Sequence, residues 1–96
     1  MSHADFRLSL IVPVYNEEES IDAFINAIDN ELAPIKDHLE IVFVNDGSRD
    51  STREVIERAI TRDPRVTLVN LARNFGKEAA MTAGLHHAKG DAIVPM

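Results

Sequence analysis

The amino-acid sequence predicts an α/β fold built on a parallel sheet. Four short apolar runs, rich in valine, isoleucine and leucine, have the length and composition of strands that are buried on both faces. Stretches with helical periodicity or helical composition separate these runs. Alternating strands and helices are typical of right-handed parallel sheets. With 96 residues, the chain is predicted to form one domain.

The first predicted strand covers Leu8 to Val14. The helix that follows carries apolar side chains at helical spacings from Ile21 to Leu32. The acidic residues Glu17 to Glu19 precede that helix, where the positive end of the helix dipole favours them. Residues 33–38 form a short connection to the second predicted strand, Glu40 to Val44. These segments make one complete strand–helix–strand unit.

The second half of the chain repeats this alternation. Ser51 and Glu54 have the spacing of a capping box, which predicts that a helix begins there. Pro64 follows the end of that helix, and Val66 to Leu71 is the third predicted strand. The last two predicted elements are a helix of small residues and the start of a fourth strand, Gly76–Ala88 and Ala92–Met96.

Polar side chains are concentrated directly after the first three predicted strands, in the segments YNEEE, NDGSRDS and ARNFGKE. The carboxyl ends of parallel strands meet at one edge of a sheet, and ligands bind outside that edge in open α/β sheets. A turn requires only some of these polar residues. The excess polarity therefore predicts a ligand site at this edge.

Composition argues against several classes of function. The net charge of -6 disfavours nucleic acid as a partner, because nucleic-acid binding requires a basic surface. The chain contains no cysteine, so disulfides and thiolate metal sites are excluded and a reducing compartment is favoured. The apolar run near the start is too short to span a membrane and has no signal-peptide cleavage site, so we expect the chain to be soluble.

Three common phosphate-binding patterns do not match. No G-x-G-x-x-G motif follows the first strand, which argues against a dinucleotide site. Gly76 and Lys77 look like the end of a P-loop, but Leu71 and Glu78 stand at positions that require glycine and a hydroxyl residue. The third strand ends without the aspartate that a phosphate-receiving response regulator needs. The ligand is therefore expected to be held in another way.

Asp46 is the most informative single residue of the polar segments. It follows the second strand and precedes Gly47, which favours a turn. A carboxylate at a strand end can accept a hydrogen bond from the ring N–H of uracil or guanine, which contributes about 1.5–3 kcal/mol. The alternative is an Asx turn and helix cap without a ligand. In either case one of Ser48, Asp50 and Ser51 is needed to cap the following helix.

The segments IVPVYNEEESI, EIVFVNDGSRDST and RNFGKEAAMTAGLHHAKGDAIVPM, in this order and spacing, resemble the N-terminal half of family 2 glycosyltransferases with a GT-A fold. Within that family they are most similar to the polyprenyl-phosphate hexosyltransferases, which include dolichol-phosphate mannose synthases and bactoprenol glucosyltransferases. The resemblance covers the chain from Leu8 onward. It implies a Rossmann-like parallel sheet in strand order 3-2-1-4, with residues 1–96 as the N-terminal nucleotide-binding part of one GT-A domain.

By matching position, the resemblance implies a nucleotide-sugar pocket. Pro13 and Tyr15 would form the wall against the base and ribose, since Tyr15 offers a flat apolar face and a hydroxyl. Asp46 would read the base. Two further residues are implied for the pocket, Glu17 and, chiefly through its backbone, Val44.

Arg73 and Lys77 are the clustered cations of this rim, and a diphosphate requires cations. Simpler alternatives exist for all of these positions. Tyr15 could be a surface tyrosine, Glu17 could serve only the helix N-terminus, and the two cations could be solvated residues at a helix start.

In this family the strand that begins GDAIVPM ends in an Asp-x-Asp motif that holds a divalent metal, Mg²⁺ or Mn²⁺. The chain ends at Met96, before that position. We therefore expect a truncated enzyme that contains neither metal ligands nor catalytic residues and is inactive alone. An incomplete sheet leaves an open strand edge and uncovered apolar faces, which predicts association between copies, as aggregates or as a homo-oligomer.

For the intact protein, the resemblance implies transfer of a hexose from a nucleotide sugar to a polyprenyl phosphate at the cytoplasmic side of the membrane. The expected donor is UDP-glucose, with a GDP-hexose as the other option. A phosphate acceptor is already anionic near pH 7, so no strong base is needed, and the metal would stabilise the diphosphate leaving group. Two alternatives stay open: a family 2 transferase of cell-surface polysaccharide synthesis with a sugar-hydroxyl acceptor, which requires a base, and a non-catalytic nucleotide-binding module.

Overall fold

The computed structural model describes residues 6–96, and residues 1–5 of the predicted domain lie outside this described part. The described residues contain a parallel four-stranded sheet in the order β3-β2-β1-β4. This confirms the predicted α/β class and the predicted strand order 3-2-1-4. The strands are β1 (Leu8–Val14), β2 (Leu39–Asn45), β3 (Val66–Asn70) and β4 (Ala92–Pro95).

Three α-helices connect the strands, at the positions that the apolar patterns predict. The predicted connection at residues 33–38 is a 3₁₀-helix, Ala33–His38, which follows the end of the first α-helix directly. No helix within residues 6–96 combines the length and the apolarity that a bilayer span requires. The α-helices are α1 (Ile21–Glu31), α2 (Thr52–Arg62) and α3 (Lys77–His87).

The sheet is covered on both faces, which explains why its central strands are mostly apolar. All seven residues of β2 are buried. On one face, α1 and α2 pack around Phe43, whose ring meets that of Phe24 edge-on at a centroid distance of 6.0 Å. On the other face, α3 packs on a cluster that includes Ile11 and Val44. Burial of one such side chain contributes about 1.5–3 kcal/mol, so both layers stabilise the sheet.

Helix α3 lies unusually close to the sheet because Gly84 faces it. A Cβ atom at this position would lie 2.4 Å from Cγ2 of Ile11 and 2.9 Å from Cγ2 of Val44. Such distances are shorter than van der Waals contact allows, so any larger residue would push the helix outward. Gly84 therefore allows the close packing of α3 on β1 and β2.

Helix α2 begins where the sequence predicts, but its cap differs from the predicted capping box. Among the described residues, Ser51 makes no side-chain cap hydrogen bond, so the predicted capping box is wrong. Asp50 takes this role instead, because its Oδ1 accepts a hydrogen bond of 2.9 Å from the backbone N–H of Thr52. A carboxylate is a stronger acceptor than a serine hydroxyl, and here it reaches the first helical amide in an Asx-type turn.

A buried polar group joins the amino end of β1 and β2 to the turn before β4. Glu40 is 6% exposed, and its Oε1 accepts hydrogen bonds from the Ser9 hydroxyl at 2.7 Å and the Lys89 backbone N–H at 2.9 Å. The Ser9 hydroxyl oxygen in turn accepts from the N–H of Gly90 at 2.8 Å. These bonds hold the turn against the sheet and so place β4 beside β1.

Candidate functional site

A cavity of about 430 Å³ lies at the carboxyl ends of β1 and β2. One wall comes from the end of β1 and the loop after it, the floor from the residue that follows β2, and the opposite wall from the start of α3. The position matches the edge at which the sequence predicts a ligand. Its lining residues are Pro13, Val14, Tyr15, Asp46, Asn74, Gly76, Lys77 and Met96.

Asp46 connects the floor of the cavity to the wall formed by α3. Its Oδ1 accepts a hydrogen bond from the backbone N–H of Phe75 at 2.8 Å, and its Oδ2 accepts one from Gly76 at 3.1 Å. The residue is 5% exposed. Each carboxylate oxygen has a second lone pair, so Asp46 retains the capacity to accept from a ligand. It therefore fixes the loop before α3 and remains an available acceptor for a ligand.

Gly47 allows the loop after β2 to approach the loop before α3. Its φ of +71° lies in the left-handed region, which favours glycine. A Cβ atom here would lie 2.3 Å from the backbone C of Arg73 and the backbone N of Asn74. No side chain fits between the two backbones. The glycine of the NDGS segment is thus required by the loop on the far side of the cavity as well as by its own turn.

The loop after β1 is held by the other polar residues of the same segment. The backbone N–H of Asn16 donates to Ser48 Oγ at 2.9 Å, and Asn16 Oδ1 accepts from the N–H of Arg49 at 2.8 Å. The N–H of Glu17 donates to Thr52 Oγ1 at 2.9 Å. The polar side chains that follow β2 thus bind backbone groups of the loops on both sides.

The ionisation state of Asp50 follows from its surroundings. Desolvation acts to raise its pKa, but the hydrogen bonds donated by the hydroxyl and N–H of Thr52 and by the N–H of Glu18 outweigh it. The pKa of Asp50 therefore lies below its ordinary value of 3.8. The carboxyl group is ionised at neutral pH and acts only as an acceptor.

The far wall of the cavity has a positive character. Lys77 begins α3 and lines the cavity together with Gly76, whose φ of +98° again requires glycine. Within residues 6–96, no side chain caps the N-terminus of this 11-residue helix. The first N–H groups of a helix bind anions, and the helix dipole adds to that effect. This wall can therefore accept a negatively charged group.

The structure brings four of the seven predicted site residues together at the cavity: Pro13, Tyr15, Asp46 and Lys77. The side chain of Val44 is fully buried beneath α3. Glu17 lines a smaller, neighbouring cavity of about 240 Å³ among other acidic residues. The guanidinium of Arg73 lies over the ring of Phe75, 4.8 Å from its centroid, and is not among the lining residues.

Asn74 and Met96 line the cavity although the sequence reasoning did not select them. Asn74 lies within the RNFGK segment that carries part of the resemblance, and its polarity beside a predicted phosphate-binding residue was the available signal. Met96 is an ordinary apolar residue in a strand-like run, and only the pairing of β4 with β1 brings it to the cavity. Sequence spacing contains no sign of that contact.

A metal site does not form within the described residues. Across residues 6–96, no three histidine, aspartate or glutamate side chains gather in a way that would hold a metal ion. The acidic residues near the cavity are engaged with backbone N–H groups or lie in the neighbouring cavity. The residues present therefore do not fit a resident divalent cation.

The sequence of residues 9–96 matches the family described as glycosyl transferase family 2. This match covers nearly the whole chain. The chain belongs to glycosyl transferase family 2. Its cavity lies at the edge of the sheet where open α/β proteins bind their ligands.

A bactoprenol glucosyl transferase from Shigella phage SfV is 48% identical to this family 2 chain over 92 residues, or 94% of the chain and 29% of the relative. The chain thus spans less than a third of the length of that protein. The solved structure of the mannosyltransferase PcManGT from Pyrobaculum calidifontis, in complex with GDP-Man and Mn²⁺, is similar with a TM-score of 0.78 and 34% identity. That similarity covers 91% of the chain and 26% of PcManGT.

A second solved structure, S. aureus TarS 1-349 in complex with UDP-GlcNAc, is similar to the chain with a TM-score of 0.71 and 27% identity. The match covers 95% of the chain and 26% of TarS 1-349. The GT-A fold expected from the resemblance is confirmed by these neighbours. One of them contains a guanosine nucleotide sugar and the other a uridine nucleotide sugar.

Proposed function

We propose that residues 1–96 form the N-terminal nucleotide-binding part of a GT-A domain whose whole protein transfers glucose from UDP-glucose to a polyprenyl phosphate. The support for the acceptor and the sugar is the 48% identity with a bactoprenol glucosyl transferase. The observation that carries the nucleotide site is structural. One cavity combines a buried carboxylate acceptor with a lysine at an uncapped helix N-terminus.

The base and ribose would lie against the wall formed by β1. Pro13 and Tyr15 offer apolar surface there, and Tyr15 is 41% exposed, so its ring is accessible to a ligand. Asp46 would accept the ring N–H of the base with its remaining lone pairs. Both of its oxygens already accept one backbone N–H each. Each oxygen therefore keeps a lone pair for a ring N–H, which both uracil and guanine can donate.

The diphosphate would lie toward α3. Lys77 supplies a positive charge, and the first N–H groups of α3 supply hydrogen-bond donors in a fixed direction. Gly76 has no side chain that could block access. The space beside it is open, since a Cβ atom built there would have no atom within 4 Å. We include Arg73 as a further cation of this rim, since it precedes Asn74, which lines the cavity, although its guanidinium lies over the ring of Phe75. Glu17 and Val44 would contribute through the backbone of the loop and strand that carry them.

We also propose that the whole protein uses Mg²⁺ or Mn²⁺, since the PcManGT complex contains Mn²⁺. A bound divalent cation neutralises charge on a diphosphate leaving group. The described residues do not gather a ligand set for this ion. The part of the reaction that these residues can perform is to bind and orient the nucleotide.

A polyprenyl-phosphate acceptor places the whole protein at the membrane, on the cytoplasmic side where nucleotide sugars are available. The acceptor phosphate is anionic near pH 7 and can attack without a protein base. A transferase with a sugar-hydroxyl acceptor would need such a base. The lipid product and the polysaccharide product therefore differ in chemistry as well as in solubility.

The nucleotide site can be tested with the chain itself through the fluorescence of Tyr15. The sequence contains one tyrosine and no tryptophan, so the intrinsic emission reports on this cavity residue alone. We expect UDP to change the emission saturably and to do so at lower concentrations than uridine, because the diphosphate gains contacts with Lys77 and α3. Absence of any saturable change with UDP and with GDP would contradict the proposed site.

A matched pair of lysine variants tests the position of the diphosphate. Lys77→Gln should weaken UDP binding about fivefold to tenfold, since a charge-assisted contact contributes about 1.5–3 kcal/mol when fully formed and Lys77 is partly solvated. Lys36→Gln is the control, because Lys36 lines a cavity at the opposite edge of the sheet. Equal effects of the two substitutions would show that only the overall charge matters.

The whole protein's reaction can be tested in membranes that contain it. Incubation with radiolabelled UDP-glucose should produce a labelled lipid that releases glucose on mild acid treatment, as expected of a glycosyl phosphate. Label that enters polysaccharide without passing through such a lipid would favour the sugar-hydroxyl acceptor. Absence of transfer from UDP-sugars and GDP-sugars, with nucleotide binding retained, would favour a non-catalytic module.

A further inference from the structure

Three consecutive backbone N–H groups after β1 are bound by side chains from the loop after β2. The N–H of Asn16 donates to Ser48 at 2.9 Å, and the N–H of Glu17 donates to Thr52 at 2.9 Å. The N–H of Glu18 donates to Asp50 Oδ2 at a longer 3.4 Å. These groups precede α1, where a loop would otherwise expose them to water. The loop next to Tyr15 is therefore attached to β2 through side chains.

Thr52 is the central member of this set. It is fully buried, with an exposure of 0%, so water does not replace its hydroxyl. Its hydroxyl hydrogen-bonds to Asp50 Oδ1 and its oxygen accepts the N–H of Glu17. An ionised carboxylate cannot donate, so the hydroxyl proton must point toward Asp50. This leaves the oxygen lone pairs directed at Glu17, and Asp50 thereby sets the orientation of the hydroxyl.

Tyr15 lies outside the apolar core of residues 6–96, so the backbone of its loop sets its position. Its side chain is 41% exposed and is not part of either apolar core cluster. The next residue, Asn16, has a φ of +52°, in the left-handed region that asparagine adopts more readily than most residues. The hydrogen bonds of Asn16 and Glu17 hold the loop in this conformation. A change in them would rotate the backbone directly beside Tyr15.

We propose that Thr52, oriented by Asp50, is a positioning residue that fixes the Tyr15 wall of the cavity for nucleotide binding. The proposal rests on the proposed function, since it assigns Tyr15 to the nucleotide. Thr52 itself does not line the cavity, and it acts through the backbone N–H of Glu17. Its effect on a ligand is therefore indirect and should depend on the hydroxyl group rather than on the size of the side chain.

The test compares three substitutions at threonines of α2 in the chain labelled with fluorotyrosine. Thr52→Val keeps the shape and removes the hydroxyl, whereas Thr52→Ser keeps the hydroxyl. Thr61→Val is the matched control, because the Thr61 hydroxyl donates to the carbonyl of Arg58 at the exposed far end of the helix. Since Tyr15 is the single tyrosine, fluorine NMR gives one resonance for this residue. Thermal unfolding is measured on each variant.

We expect the resonance of Tyr15 to shift or broaden in Thr52→Val before any ligand is added, and to return in Thr52→Ser. UDP binding should weaken about tenfold in Thr52→Val, as one hydrogen bond to a buried group is lost, and should recover in Thr52→Ser. Thr61→Val should leave both measurements unchanged. An unchanged resonance and an unchanged UDP affinity in a less stable Thr52→Val would overturn the proposal and leave Thr52 a purely structural residue.

A second variant covers the case in which Thr52→Val does not fold. Asp50→Ala, at a half-buried position, removes the acceptor that orients the Thr52 hydroxyl, so it should broaden the Tyr15 resonance at the cost of one helix cap. A sharp, unshifted resonance would contradict the proposal. If the wild-type chain shows no UDP binding, the proposed function fails, but the ligand-free resonances still decide whether Thr52 and Asp50 position Tyr15.

Discussion

The two ends of the sheet contain cavities of similar size that use their polar groups in different ways. At the amino end, a cavity of about 370 Å³ surrounds Arg65, which donates to Asp63, to Asp29 and to the carbonyl of Lys36. At the carboxyl end, the cavity of about 430 Å³ contains Tyr15 and Lys77. Across residues 6–96, the Lys77 side chain forms no ion pair with another side chain.

This difference shows why polarity and volume alone do not identify a binding site. The charges at the amino end satisfy one another, and Arg65 is largely buried by its partners. At the carboxyl end the acceptors satisfy backbone N–H groups, while the cation and the aromatic ring remain directed at solvent. A ligand gains more by binding groups that have not already found partners. The carboxyl end is therefore the better candidate site.

Among the substitutions that test this contrast, Gly47→Ala is expected to lower the free energy of unfolding the most. The added Cβ atom would lie 2.3 Å from the backbone of Arg73 and Asn74 in a left-handed conformation. Strain and overpacking together should cost about 3 kcal/mol or more in the free energy of unfolding. Chemical denaturation measures this loss. Gly76→Ala is the control, since its Cβ would meet no atom within 4 Å and only backbone strain of about 1–3 kcal/mol remains.

Asp46→Asn should have the next largest effect. The amide has one acceptor oxygen in place of two, so it cannot accept from both Phe75 and Gly76 and faces one of them with a donor. We expect UDP affinity to fall by about 1.5–3 kcal/mol, which is tenfold or more. Calorimetry with UDP and GDP tests this, with Asp63→Asn at the other end of the sheet as the matched control. Unchanged affinities would make Asp46 a turn residue only.

Asp63 allows the amino end to be tested separately through pH. Hydrogen bonds from Arg65 hold the pKa of Asp63 below its ordinary value of 3.8, and desolvation opposes them only in part. A lowered folded-state pKa means that the stabilisation is complete above that ordinary value and is lost as the pH falls through the folded-state pKa. Asp63→Asn should cost about 1–2 kcal/mol at pH 7 and should flatten this acid dependence. If the stability of the variant falls at low pH in the same way as that of the wild type, this assignment is contradicted.

The smallest effect is expected from added metal. Residues 6–96 gather no set of three metal ligands, and the chain has a net charge of -6. UDP should therefore bind weakly, with a dissociation constant near 1 mM, or about 4 kcal/mol, and Mn²⁺ should not change that value. Titration of UDP with and without Mn²⁺ measures both quantities. Metal-dependent micromolar binding would show that the chain contains a metal site.

The fold could be predicted because its signals are local. Apolar runs and helical stripes gave the elements, and the resemblance gave the strand order, all of which the structure confirms. Asp50 caps α2 and was one of three candidates from the sequence, whereas the capping box at Ser51 was wrong, because the two are equally suitable residues one position apart. Only backbone geometry decides which of them reaches the first amide. Propensity and spacing cannot distinguish such neighbours.

The candidate site could be predicted only in part, because its geometry depends on contacts between distant segments. Asp46 was selected as an acceptor, but its bonds to Phe75 and Gly76 require that α3 begin directly above β2. Arg73 was grouped with Lys77 on the basis of charge, whereas its guanidinium lies on a neighbouring aromatic ring. The sequence identifies which groups are available. The packing of the loops decides which of them face one space.

The hydrogen bonds between the three loops also bear on how the chain acquires its site during folding. They join residues that are 29 to 35 positions apart, and each requires that two neighbouring strands already be paired in register. Contacts of such long sequence separation form late, after the entropy of closing the loops has been offset by the core. The cavity should therefore mature last and open first, as one cooperative unit. In this chain, the candidate site is therefore expected to form only after the native sheet is complete.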